Sequence, residues 1–370
     1  MSWKEIAIGE VVELRQGFCV NKKSNHLVVE TGLPLLRITD MINGTQNIFI
    51  KEEVSDKFIA KPDDIIFTRT GQVGMVFRNQ YGVIHNNCFT VSPIVNELSK
   101  DFLYWFLRND ETKKIANDYA SGAAQLDLSH GAFKGIKIKY PTDLYTQRRI
   151  ASILSAYDDL IENNLKRIKL LEEKASLMYK LMQKELSDVE KINLYAFANI
   201  QMGFAFKAEA FNEEGEGIPI IRIRDIPGQM TKSYTTQEVD NQYWVEKGDL
   251  LIGMDGEFHM NEWLGQRGYL VQRVCRLRAK NELYQSYLWQ ALKEPIHYYE
   301  TTISGATVAH LGKKHLEEIF IASPKDSMKN ELEEMNIMRK LKIVLAEQNT
   351  KLREARDILL PKLMNGQIEV

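Results

Sequence analysis

The chain has 370 residues, 44% hydrophobic and 26% charged, with 48 Lys and Arg against 50 Asp and Glu for a formal charge of -2. That mix excludes a wholly disordered chain, which could not bury enough apolar surface to offset its ordering entropy, and the length gives a prior of two or three domains. The near-zero balance excludes a simple polycation, so any nucleic-acid surface has to come from local arrangement of charge. The cysteines, Cys19, Cys88 and Cys275, lie far apart with no CxxC pair. This argues against a disulfide framework and a thiolate zinc site, and fits a reducing cytoplasm. Nothing apolar follows the first residues as a leader would, and no run approaches ~18 uncharged apolar residues, so no membrane is expected as a partner.

Along the chain, three β-type runs come first: Leu35–Thr39, Ile65–Thr68 and Val83–Val91, bounded by Gly, Asn and Asp. A helix over Asp101–Asp118 follows, then a Ser-Gly-Ala loop at 121–123, a strand over Gly135–Lys139, and Pro141. A long helix runs from about Thr146 to Glu185, free of Pro and Gly. Its seam is Ile150, Leu154, Tyr157, Ile161, Asn164, Ile168, Leu171, Ala175, Met178 and Met182, alternating four and three as in a coiled coil.

The plan then repeats. Gly17-Phe18 matches Gly203-Phe204, Pro34–Asp40 matches Pro219–Asp225, and Asp64-Ile65-Ile66 matches Asp249-Leu250-Leu251. Ser121-Gly122-Ala123 matches Ser304-Gly305-Ala306, and Leu128 and Pro141 match Leu311 and Pro324. Order is kept and the offset stays between 183 and 186, as chance matches would not. The second copy has a helix over Glu282–Tyr299, a strand over Glu318–Ala322, and a long helix from about Leu332 to Leu360. The seam of that helix is Met338, Leu341, Leu345, Gln348, Leu352, Ala355 and Leu359, and Pro361 ends or kinks it. Shifted by 184, Asn164 falls on Gln348, so each seam places one amide among apolar residues, where it fixes register or meets water at an edge.

The expected fold class is therefore α+β: two tandem globular domains of mixed short strands and helices, each followed by a long helix. The helices pair as an antiparallel coiled coil with pseudo-twofold symmetry. The segments are residues 1–145, 146–186, 187–327 and 328–370.

Signatures of catalysis are weak. Gly305–Lys314 has six residues between its glycines and no hydroxyl after the first lysine, so it is no P-loop, and no GxGxxG follows a strand. No two histidines stand at i,i+4, and none of the seven suggests a metal site. The polar loops repeat instead, and functional residues concentrate on loops. One zone holds Lys22, Lys23 and, in the second copy, Lys207. Another holds Arg37, Thr39, Arg69 and Gln72, matched by Arg222, Arg224 and Asp255. The third holds Gln125, Ser129 and His130, matched by Thr307 and His310. Such side chains reach phosphates and base edges, although Arg37 and Arg222 also suit salt bridges to nearby acids, and Asp255-Gly256 suits a turn.

The sequence resembles the specificity (S) subunits of type I restriction–modification systems over essentially its whole length. The resemblance rests on the tandem repeat and on Ser121-Gly-Ala-Ala-Gln125, Leu128-Ser129, Gly135-Ile-Lys-Ile138 and Pro141. Thr146-Gln-Arg-Arg-Ile150 before the heptad helix and the tail Leu359-Leu-Pro-Lys-Leu363 through Ile368 add to it. It implies two target-recognition domains, at 1–145 and 187–327, each reading one half of a split double-stranded DNA target. The helices would set the unread spacer and dock two methyltransferase (M) subunits, with restriction (R) subunits joining the complex. It implies no enzyme in this chain and no cofactor of its own, with S-adenosylmethionine, ATP and Mg on partner subunits, and a cytoplasmic location. The alternatives are a recognition subunit of a different, type II-like assembly, or a non-DNA-binding coiled-coil scaffold. Position 39 is Thr where 224 is Arg, and Gln125 differs from Val308, so the two half-sites should differ.

Overall fold

The apolar triplets Ile65-Ile66-Phe67 and Leu250-Leu251-Ile252 have no polar alternation, as expected of strands covered on both faces. In the computed structural model, which describes residues 2–122, 125–303 and 309–370, they are central strands. The chain divides into two units, Met1–Asp159 with Leu352–Val370, and Leu160–Lys351. Each long helix contributes to both.

In unit one, a four-stranded antiparallel sheet has the order Val12–Gln16, Cys88–Pro93, Ile65–Thr68, Val76–Phe77. Ile65 and Phe67 face a core shared with Phe102, Leu103 and Trp105, while Ile66 faces a second core with Leu36, Ile84 and Cys88. A five-stranded sheet runs Val28–Val29, Phe49–Ile50, Leu33–Leu36, Gly82–Ile84, Ile59–Ala60, with one parallel pair, Leu35 to Val83 and Leu36 to Ile84. Trp3–Ala7 pairs with Lys137–Pro141.

Unit two repeats this strand for strand. Its four-stranded sheet is Ala198–Met202, Val274–Ala279, Leu250–Gly253, Met260–Glu262, and its five-stranded sheet again has one parallel pair, Ile220 to Tyr269. Lys191–Asn193 pairs with Phe320–Ala322. Leu250 and Ile252 enter one core and Leu251 another. The repeated Asp64 and Asp249 anchor equivalent turns: each accepts from a backbone N–H three residues back, at 3.0 and 2.7 Å, and from an arginine, Arg15 or Arg278.

Several expected boundaries move. The run Leu35–Thr39 leaves the sheet at Leu36, and Ile38–Asn43 is a short helix closed by Gly44 at φ 65°, a left-handed turn that suits glycine. Val83–Val91 is two strands in different sheets, broken at His85–Asn87. The helix expected over Asp101–Asp118 breaks at Asn109, whose side chain accepts from Glu111 N and caps Asp110–Tyr119. The second helix of that kind is Gln285–Thr302, after a 3-10 turn at Glu282–Tyr284.

The central helix is Leu144–Glu185 and the C-terminal helix Lys329–Met364. Gln147 ties the first to its domain. Fully buried, it accepts from Ser99 N at 2.8 Å and donates to Glu97 O and Pro141 O. Pro361 lies inside the C-terminal helix, where its last-turn position forfeits one hydrogen bond rather than ending the helix. In unit two the helices run antiparallel, with Asn164 facing Asn349 and Lys174 facing Glu334. Within unit one, Asp158 meets Arg356, and Ile150 and Leu154 share a core with Leu360 and Leu363.

The seam of the central helix has the expected residues: Ile150, Leu154, Ile161, Asn164, Ile168, Ala175 and Met182 are buried, and Tyr157 and Leu171 half-buried. In the C-terminal seam Met338, Leu345, Leu352 and Leu359 stand as expected, but the alternate positions move by one residue, from 341 to 342 and from 348 to 349. Leu341 and Gln348 are exposed, whereas Met335, Met338, Lys342, Leu345 and Asn349 are buried, and Leu352 and Leu359 are half-buried. The order of four- and three-residue steps is reversed, because Lys342 is buried by an ion pair that hydrophobic periodicity does not register. The seam amide is Asn349, which accepts from Asn164 Nδ2 at 2.9 Å. Among the described residues, no helix is long and apolar enough to cross a membrane.

Candidate nucleic-acid interface

At one end of the four-stranded sheet in unit one, three loops converge through backbone hydrogen bonds. Arg69 N donates to Asn87 O at 2.8 Å, Leu128 N to Arg69 O at 2.9 Å, and Gly71 N to Leu126 O at 2.8 Å. Gly71 has φ 82°, which lets the chain turn there without a Cβ penalty. The frame brings together Arg69, Thr70, Asn87 and Asp127. Arg69 Nη2 lies 2.6 Å from Asp127 Oδ2 and Nη1 is 3.4 Å from Gln16 Oε1. Thr70 Oγ1 donates to Asp127 Oδ1 at 2.5 Å, and Gln16 Nε2 to Asn86 O at 2.7 Å. The Thr70 hydroxyl, then Arg69, holds the Asp127 carboxyl below the usual carboxylate range. The Arg69 guanidinium is thus largely committed inside the site.

The other expected residues divide into structural and exposed groups. Arg37 is bridged to Asp40 at 2.5 and 3.1 Å, and the buried Asp40 also accepts from Thr45 and Asn47. Arg37 is the main cause holding that carboxyl low. The salt-bridge reading of Arg37 is the one its geometry supports. Ser129 Oγ accepts from Ala132 N at 3.1 Å, the N-cap of His130–Lys134. His130 packs edge-on against Phe89, and burial, then the Arg69 charge, pushes its imidazole down. Lys22, Lys23, Thr39, Gln72 and Gln125 are exposed.

Unit two has the same frame. Met254 N donates to Arg273 O at 2.8 Å, Leu311 N to Met254 O at 2.8 Å, and Gly256 N to Ala309 O at 3.0 Å. Position by position, Met254 replaces Arg69, Asp255 replaces Thr70, Arg273 replaces Asn87, and His310 replaces Asp127. The sequence pairing of His130 with His310 is therefore corrected: the residue after the helix cap, Gly312, is Lys313. Asp255 Oδ1 lies 2.6 Å from His310 Nδ1, and Arg273 Nε is 3.4 Å from Asp255 Oδ2. Arg222 bonds the Ser233 hydroxyl, its backbone N–H donates to Asp225 at 2.9 Å, and burial pushes Arg222 down and Asp225 up. Lys207 and Arg224 are exposed, and Arg224 Nη2 lies 3.8 Å from Glu213. Thr307 lies outside the described residues.

Gln16, Asn86, Asn87, Asp127 and Arg273 were not anticipated. The Asn86-Asn87 pair is a turn signal that lies inside the expected run Val83–Val91, and Arg273 stands between the apolar Val271 and Val274 with no turn residue beside it. Among the described residues, no three His, Cys, Asp or Glu side chains gather to hold a metal. All three cysteines are free, and burial pushes Cys88 and Cys275 up to about 12, so neither supplies a reactive thiolate. The arrangement offers fixed, directional donors and acceptors on loops.

Residues 1–173 and 186–354 each match the family described as "Type I restriction modification DNA specificity domain". The EcoBI type I restriction enzyme specificity subunit of Escherichia coli is 34% identical over 135 residues, which is 36% of this chain and 28% of that protein. The putative MjaX specificity subunit of Methanocaldococcus jannaschii is 23% identical over 100% of this chain and 94% of the relative. The fold is that of the type I restriction–modification S subunit from M. genitalium, with a TM-score of 0.59 at 19% identity, covering 98% of this chain and 96% of that one.

Proposed function

We infer the role of this chain from its family: it belongs to the type I restriction–modification DNA specificity proteins, whose domain it carries twice, and it recognises a DNA target. Each unit reads one half of a split, asymmetric target. The carrying observation is the site itself: one backbone frame, built twice, bears Arg69, Thr70, Asn87 and Asp127 in unit one and Met254, Asp255, Arg273 and His310 in unit two. Donors and acceptors so exchanged present different patterns to base edges, and this supports two different half-sites.

The chain does no chemistry of its own in this reading. Two methyltransferase subunits dock on the long helices and bring S-adenosylmethionine; restriction subunits bring ATP and Mg. The helices set the length of the unread gap. Partner subunits supply much of the unselective phosphate binding, which reconciles DNA recognition with a net charge of -2.

The test is to co-express the chain with its methyltransferase subunit and select from random duplexes at near-physiological salt. A split motif with a fixed unread gap and unlike halves is expected. Salt-sensitive binding with no enriched motif would contradict the reading.

A further inference from the structure

Arg273 is one of three described non-glycine residues at positive φ, at 74°. A β-carbon is disfavoured there, and such strain is characteristic of functional sites. Packing does not explain it, since the side chain is half exposed. A carboxylate orients it instead: Asp255 Oδ2 is 3.4 Å from Arg273 Nε, and Asp255 Oδ1 is fixed by His310 Nδ1 at 2.6 Å. The carboxylate can only accept, so Nδ1 carries the proton and donates to Asp255. The 3.3 Å approach of Arg273 Nη1 to that nitrogen is therefore not a hydrogen bond, and among the described residues Nη1 and Nη2 have no acceptor. With its Nε edge toward the carboxylate as an ion pair, the guanidinium has the two parallel donors of its other edge to offer. Guanine presents two matching acceptors, N7 and O6, in the major groove. A phosphate can take the same fork but carries no base identity, so the motif itself separates the two roles.

Asn87 occupies the same turn position in unit one, its carbonyl accepting from Arg69 N as Arg273 O accepts from Met254 N. Its side chain is half-buried, and no hydrogen bond from its amide is found among the described residues. An amide pairs with the donor and acceptor on the major-groove edge of adenine. We propose that this shared turn position reads a base in each half-site: Arg273 a guanine through unit two, Asn87 an adenine through unit one. The proposal rests on the DNA-recognition reading above.

The experiment uses the full chain assembled with its methyltransferase subunit and selects random duplexes with wild type, Arg273→Gly, Arg273→Lys and Asn87→Ala. Glycine suits φ 74°, so Arg273→Gly keeps the turn. It should relax preference at one guanine in one half-site by roughly tenfold or more, leaving the other half intact. Arg273→Lys should relax the same position, because an ammonium retains charge but not the fork. Asn87→Ala should relax an adenine in the opposite half. A phosphate role would instead leave the motif intact in Arg273→Lys. In Arg273→Gly it would weaken all duplexes evenly and lower the salt slope by about 1. That result, an unchanged motif, or both positions mapping to one half overturns the proposal while leaving the recognition reading standing. A wild-type complex that enriches no motif overturns the recognition reading, and this inference with it.

Discussion

In unit one the cation of the site, Arg69, leaves the end of a strand and the anion, Asp127, comes from the loop before a short helix. In unit two the strand end carries the anion, Asp255, and the cation, Arg273, sits on the turn, with His310 on the opposite loop. The backbone bonds joining these segments are the same in both. Because the frame is held by main chain, its side chains can change sign without disturbing the fold. Specificity is thereby free to diverge between copies of one architecture.

A second contrast lies where the domain meets its helices. Arg78, the residue just after the strand partner of Ile66, Phe77, is paired with the exposed Asp101. The equivalent position opposite Leu250 is Glu262, buried between Arg339 at 2.6 Å and Lys342 at 2.9 Å. Breaking a buried pair leaves an uncompensated charge, so Lys342→Met should cost unit two about 3 kcal/mol. Asp101→Asn in unit one should cost less than ~1 kcal/mol, as exposed pairs do. Urea unfolding of the full chain measures both, and equal costs would erase the contrast.

The seam amides give the next largest effect. Asn349→Leu strands the buried Asn164 amide and should cost about 1–3 kcal/mol. The double change with Asn164→Leu should recover most of it, and a double-mutant cycle reads the coupling. The helix caps follow: Ser129→Ala should cost about 1 kcal/mol, whereas Gly312 at the equivalent position has no side-chain bond to lose.

The smallest effect concerns pH. His85 and His130 are both pushed below the usual value of 6.5, chiefly by burial, so the folded unit favours their neutral forms. The unfolded chain takes up protons first. This stability is therefore present above about pH 6.5 and lost as pH falls toward the depressed folded values. Unit two has Val271 and Lys313 at these positions, so its stability should fall less. His85→Val should flatten the profile of unit one, measured as urea midpoints between pH 7.5 and 5.

Much of the fold was legible because duplication supplies its own control: Pro34–Asp40 and Pro219–Asp225 mark the same strand end twice. The central seam was legible because its residues are apolar or, in Asn164, isolated. The C-terminal seam slipped because Lys342 is buried by charge pairing with Glu262 and Glu172, which no hydrophobic period records. The site was half legible. Arg69, Asp255 and His310 stand out by type and position, and the structure brings them into the two frames. Asn87 and Arg273 do not stand out, since a turn between two β-type runs reads as one strand until the sheets separate. Arg37, Ser129 and Arg222 look like readers by composition but are engaged with nearby groups, Asp40, Ala132 N and Ser233, partners that only the folded loops bring close.

The central claim is that each unit reads its own half-site. It is tested most directly by a chimera in which residues 12–141, the recognition portion of unit one, are replaced by their repeat equivalents, 198–324, with both long helices kept. Assembled with the methyltransferase subunit and selected on random duplexes, the chimera should enrich a target whose two halves are the same, each the half formerly read by unit two, separated by the original gap. Retention of the wild-type asymmetric motif by a folded chimera would contradict the account.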